Sequence, residues 1–177
     1  KNRFLSLEHG YHGDTLGAMS IGYVPEYFRH YKSVLRLSKR ISPPKSSTLD
    51  DFRIHVKQDY IDNLERFFSK YSDTCCAMVM ESGAQIAGGV NVYPYGFQKA
   101  VSELCNKYDI ILVVDEIATG FGRLGNMVEY LAQRSNPDIV CMGKALTGGY
   151  SPLAVTLCKN EVYSAFLSDY SENKHFC

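Results

Sequence analysis

The chain carries no excess of charge: 19 Lys and Arg balance 19 Asp and Glu, for a formal net charge of zero. A surface built to hold nucleic acid or an anionic membrane needs a basic excess, so the balance argues against both. No apolar run approaches the roughly 20 residues of a membrane span. No C-x-x-C pair occurs among the six cysteines, which removes the spacing used by zinc ribbons and thioredoxin-like centres. Glu8, His9, His12 and Asp14 lie close together, but no H-E-x-x-H or similar spacing makes a metal pattern of them. What is present is 177 residues, 45% of them hydrophobic and 21% charged. That is enough to bury a core and fits about one domain. Several cysteines sit inside apolar runs, as in Cys75-Cys76-Ala77-Met78-Val79-Met80 and Ile139-Val140-Cys141-Met142. They read as small buried hydrophobes in a reducing, cytoplasmic setting.

Short apolar runs alternate with helical periodicity. Phe4 to Leu7 and Ser33 to Leu37 are strand candidates, and 41–55, with Pro43, Pro44 and several serines, reads as an exposed loop. Tyr60, Ile61, Leu64, Phe67, Phe68 and Tyr71 recur on one face of a helix, as do Phe97, Ala100, Val101, Leu104, Cys105 and Tyr108. Residues 75–80, Asp138 to Met142 and Leu153 to Leu157 predict further strands. Ile110-Ile111-Leu112-Val113-Val114 is apolar throughout. A strand with no polar alternation belongs in the middle of a parallel sheet covered on both faces. The order of elements predicts an α/β fold, a mostly parallel sheet with helices on both faces and right-handed crossovers.

Three of these strands end in charge. Met80 is followed by Glu81, Val114 by Asp115-Glu116, and Met142 by Gly143-Lys144. Ligands of open parallel sheets bind at the carboxyl ends of strands, so two carboxylates and an ammonium are expected to converge on one crevice. Charges also mark the places where strands meet solvent, and that reading stays open for each of them singly. A Lys in a partly desolvated pocket condenses with carbonyls. Pyridoxal phosphate needs such a Lys, together with a carboxylate that keeps its pyridine nitrogen protonated. Gly120-Phe121-Gly122-Arg123-Leu124-Gly125 matches G-x-G-x-x-G. A dinucleotide fingerprint follows its strand directly, and here Asp115 to Thr119 intervene, so a nicotinamide site is disfavoured. Tyr11 lies between glycines in Gly10-Tyr11-His12-Gly13, a turn suited to a ring lying flat on a ligand.

Residues 10–20, GYHGDTLGAMS, then Val114 to Arg123, VDEIATGFGR, and Cys141 to Tyr150, CMGKALTGGY, resemble three ordered segments of the class III pyridoxal-phosphate aminotransferases. The resemblance spans most of the chain and implies the large domain of a fold-type I PLP-dependent transferase. By its terms Lys144 is the Schiff-base lysine and proton shuttle, and Asp115 pairs with the pyridine nitrogen. Tyr11 stacks on the ring with His12 beside it, and Ile117 lies against the other face. Glu81 matches a position near the cofactor, while Asp14, Arg123 and Tyr11 match positions associated with the substrates.

Ser82 stands where the family usually has Pro, and Leu124 where it usually has Thr. Ala118 replaces the Gln common in ornithine, acetylornithine and 4-aminobutyrate aminotransferases. This favours the branch that converts 8-amino-7-oxononanoate to 7,8-diaminononanoate, with adenosylmethionine or lysine as amino donor. Another ω-amino acid or diamine aminotransferase, and an inactive fragment of such an enzyme, are the alternatives. The family's phosphate-holding Gly-Ser turn, its partner-subunit Thr and its small-domain Arg find no counterpart. Residues 1–177 are therefore expected to be the central part of the large domain of a homodimeric protein, without the N-terminal segment and the C-terminal small domain.

Overall fold

A computed structural model describes residues 1–44 and 54–167. The first apolar run forms β1 (Arg3–Leu7). Thr15 opens α1 (Leu16–Ile21) by accepting the Ala18 N–H at its side chain. Pro25, at a position where no N–H is needed, opens α2 (Pro25–Phe28), which runs on into a 3₁₀ turn at Arg29–Val34. Then come β2 (Lys39–Ile41), α3 (Gln58–Tyr71) and β3 (Cys75–Glu81). A small hairpin of β4 (Ala84–Gln85) and β5 (Asn91–Val92) precedes α4 (Phe97–Lys107) and β6 (Ile111–Asp115). The described chain closes with α5 (Glu129–Ala132), β7 (Ile139–Met142), β8 (Val155–Cys158) and α6 (Asn160–Ser164).

Six strands make one sheet in the order β2-β1-β3-β6-β7-β8, parallel except for β7 with β8. Register sorts their side chains onto two faces. Leu5, Met78 and Leu112 align across the sheet and join Leu64, Phe68, Phe97 and Val101 of α3 and α4 in the main core. Phe4, Ala77 and Ile111 align on the opposite face. That face carries α1, fastened where the buried Ser6 hydroxyl donates to the Ile21 carbonyl at 2.9 Å. Phe4 and Ile111, each 38% exposed, lie open on it.

The strand predicted at Ser33–Leu37 is not one. Its first residues complete the 3₁₀ turn, and Leu35 and Leu37 pack on a second cluster of Met19, Tyr23, Val24 and Phe28. The nearby N–H groups of Arg36 and Ser38 go to Ser20 instead of to a ladder, so pairing with β1 starts only at Lys39. Much of the loop predicted at 41–55 lies outside the described residues. The last strand starts two residues later than predicted, and it returns antiparallel because only a 3₁₀ turn at Lys144–Thr147, and no crossover helix, separates it from β7. All five cysteines among the described residues are free thiols, and burial raises the pKa of those at 75, 105 and 141.

Phe97 is fully buried at the start of α4, edge-on to Tyr60 and Tyr93. Phe97→Ala is expected to cost about 3–5 kcal/mol of stability, read from urea denaturation.

Candidate active site

Parallel pairing of β3 with β6 sets Glu81 directly across from Asp115, and β6 with β7 sets Asp115 across from Cys141. Lys144 follows two residues after β7. Its backbone is held at φ 44°, in the left-handed region that a non-glycine residue seldom enters without tertiary support. Glu81, Asp115, Lys144, Tyr11, His12 and Ile117 wall a single cavity of about 250 Å³, closed by Ala118 and by the Ile86–Ala87 turn. That turn packs tightly on the loop before Tyr11. A Cβ on Gly88 would fall 1.9 Å from the His9 carbonyl oxygen, so only glycine fits.

Asp115 is 8% exposed and both of its oxygens are engaged. One lies 2.9 Å from His12 Nδ1, and the other accepts the Ile117 N–H at 2.9 Å. His12 Nδ1 thereby faces the carboxylate, and among the described residues its Nε2 is buried without a hydrogen-bond partner. Glu81, 4% exposed, accepts the Tyr11 N–H at 3.2 Å and the Ile86 N–H at 2.9 Å, tying the two loops that flank the cavity. Burial raises its pKa above the ordinary value, and the two N–H donors offset part of that.

Tyr11 packs parallel to Phe28 at 6.0 Å and edge-on to Tyr27, and its hydroxyl donates to Asp14 at 2.7 Å. That hydrogen bond, with burial, raises the Tyr11 pKa. Asp14 is exposed, and this contact links it to the cavity. Arg123, also exposed, lines an adjoining cavity of about 590 Å³ that shares Lys144, Ile117 and Ala118 with the first. Lys144 is itself exposed, so the desolvation expected of it is not supplied by the described residues.

Residues 120–125 form successive turns and open no helix, so they lack the structure of a dinucleotide fingerprint. The acidic and imidazole groups near residue 10 are spent elsewhere: Glu8 accepts from Ser42, Asp14 from Tyr11, and His12 serves Asp115. Sequence reasoning missed the hairpin that carries the Ile86–Ala87 turn, because two-residue strands leave no periodicity. It also missed buried Gln98, which sits among the apolar positions of α4.

Comparison with known proteins gives this geometry a context. A family model described as aminotransferase class-III matches residues 1–173. The chain belongs to that family. It is 40% identical over 170 residues to the adenosylmethionine-8-amino-7-oxononanoate aminotransferase of Staphylococcus aureus, covering 96% of this chain and 38% of the relative. The crystal structure of the Methanocaldococcus jannaschii protein of the same name superposes with a TM-score of 0.86 at 34% identity, over 99% of this chain and 39% of that one. An omega transaminase from Pseudomonas jessenii, solved in complex with PMP, gives 0.80 at 28% identity, over 93% of this chain and 37% of that one. The chain thus spans about two fifths of the length of these relatives. Among the described residues no helix is long and apolar enough to cross a membrane.

The raised pKa of Glu81 makes a signed prediction. Its folded form holds the proton to higher pH than the unfolded chain does. The resulting stabilisation is complete below the ordinary value of 4.5 and is lost as pH rises through the folded value. Thermal melts at pH 4.5 and pH 7 (about these values) should show Glu81→Gln gaining on the wild type at the higher pH.

Proposed function

We propose that the full-length protein is a pyridoxal-phosphate aminotransferase that converts 8-amino-7-oxononanoate to 7,8-diaminononanoate, with adenosylmethionine as the favoured amino donor. The observation that carries this reading is that Lys144 and Asp115 wall the same cavity from the carboxyl ends of neighbouring strands. The residues fit the cofactor by their chemistry: a primary amine for its carbonyl, a buried carboxylate for its ring nitrogen, and an aromatic and a branched aliphatic side chain for its faces. When bound, pyridoxal phosphate supplies a carbonyl that condenses with amines and a ring that draws electrons from the adjacent carbon.

Asp115 would keep the ring nitrogen protonated through a carboxylate oxygen, and His12 Nδ1 and the Ile117 N–H hold that carboxylate in one orientation. Lys144 Nζ would hold the cofactor's carbonyl, and as a free amine it would accept and return a proton at the substrate carbon. The exposed Lys144 ammonium requires more cover than these residues give it, and a second subunit of a homodimer and the remaining parts of the chain are the proposed source. Tyr11 and Ile117 would pack the two ring faces, and Glu81 ties the loops that carry Tyr11 and Ile86. Asp14, bonded to Tyr11, and Arg123, on the adjoining cavity, would offer opposite charge to an ammonium and a carboxylate group of the substrates. The names of the Staphylococcus and Methanocaldococcus relatives support the choice of substrates.

Full-length protein loaded with pyridoxal phosphate should show a visible absorbance band that Lys144→Ala abolishes. A band unchanged in the variant would refute the lysine's role. Product formation from 8-amino-7-oxononanoate and adenosylmethionine, but not from ornithine or 4-aminobutyrate, is the expected specificity; the reverse preference would overturn the substrate assignment.

A further inference from the structure

Asp115 and Glu116 are neighbours in sequence and point to opposite faces of the sheet. Asp115 enters the cavity. Glu116, fully buried, turns to the α4 side, away from the two cavities that Lys144 lines. Its carboxylate accepts the Glu129 N–H at 3.1 Å and the Tyr130 N–H. The Ser82 hydroxyl donates to Gln98 Oε1 at 3.4 Å and accepts from Gln98 Nε2 at 3.1 Å, and the same amide nitrogen donates to Ser135 at 2.9 Å. Ser135 donates to the Tyr130 carbonyl at 3.2 Å, and the Ser82 N–H donates to the Asp115 carbonyl at 2.9 Å, which closes a ring of hydrogen bonds through the backbone. Gln98 also accepts the Gly83 N–H at 2.9 Å, leaving no polar atom of its amide unused.

This ring fastens three separate pieces behind the site: the turn after β3, the first turn of α4 and α5. From Glu116 it also grips both ends of the segment that carries Ile117, Ala118 and Arg123. At one end the Gly120 N–H bonds the Glu116 carbonyl at 2.9 Å, and at the other the Glu116 carboxylate holds Glu129 and Tyr130. Burying a carboxylate is costly, and an apolar side chain of similar size would fill the space without that cost. What it would lack is the set of directed acceptors.

We infer that Glu116 is a positioning residue: through the Ser82–Gln98–Ser135 ring it holds the Ile117–Val128 segment, and hence the cavity wall and Arg123, in register with Lys144. The inference rests on the aminotransferase reading of the cavity. It also explains the serine at position 82, whose hydroxyl is the ring's link between the β3 turn and Gln98.

The test uses the full-length holoprotein. Glu116→Gln keeps the size but turns an NH₂ toward one of the bound N–H groups. It should raise KM for the carboxylate substrate about tenfold with kcat within about twofold, while the cofactor absorbance band is unchanged, because Lys144, Asp115 and His12 are untouched. Ser82→Ala, the milder change that serves if Glu116→Gln does not fold, should raise KM about two- to threefold. A lowered melting temperature with unaltered KM in the folded variants would make the ring structural only and overturn the inference. A wild-type protein without the absorbance band would instead overturn the aminotransferase reading. The ring is then judged by amide exchange over 117–128, and exchange no faster in either variant than in wild type overturns it as well.

Discussion

Glu81 stands across the ladder from Asp115, and Asp115 across from Cys141, because β3, β6 and β7 run parallel with their carboxyl ends in step. A parallel ladder brings equivalent ends of successive strands together, whereas an antiparallel one would send them to opposite edges. From this follow the side-by-side carboxylates, the arrival of Lys144 just beyond β7, and the cavity they share. A slip of one residue in β6 would carry Asp115 to the α4 face and put Glu116 in its place.

Three acidic side chains are buried at this edge, and each is answered differently. Glu81 takes two loop N–H groups, Asp115 takes an imidazole and one N–H, and Glu116 takes two N–H groups. Acceptors of this kind are tolerated in a low-dielectric interior only when their lone pairs are filled. The backbone donors come from loops, turns and the first residues of α5, so each carboxylate fixes N–H groups that have no ladder or helix acceptor of their own. The opposite state holds for Lys144, exposed and backed by a strained φ. The carboxylates are satisfied among the described residues, and Lys144 is left open by them.

Most of the architecture was legible in the residues. The helices at 58–71 and 97–107 and the strands at 75–81, 111–115 and 139–142 follow apolar spacing closely, because their buried faces leave a period of 3.6 or an unbroken run. The candidate site was legible too, since Glu81, Asp115 and Lys144 each follow such a run. Ser33–Leu37 misled because its leucines pack, partly buried, against a helix cluster, and packing without pairing leaves the same pattern as a strand. The β4–β5 hairpin and the role of Gln98 left no pattern at all, as a two-residue strand has no period and one polar residue among core positions reads as noise.

The sequence by itself determined which residues end the strands and which motifs surround them, because the run of apolar side chains and its charged terminus are properties of contiguous residues. The tertiary structure alone decided that Asp115 faces the cavity and Glu116 the packing side of α4. It alone turned β8 antiparallel and gave Ser82 a partner. The reason is the same in each case: the direction of a side chain and the partner of a hydroxyl depend on strand register and on segments tens of residues away, and no local pattern carries either.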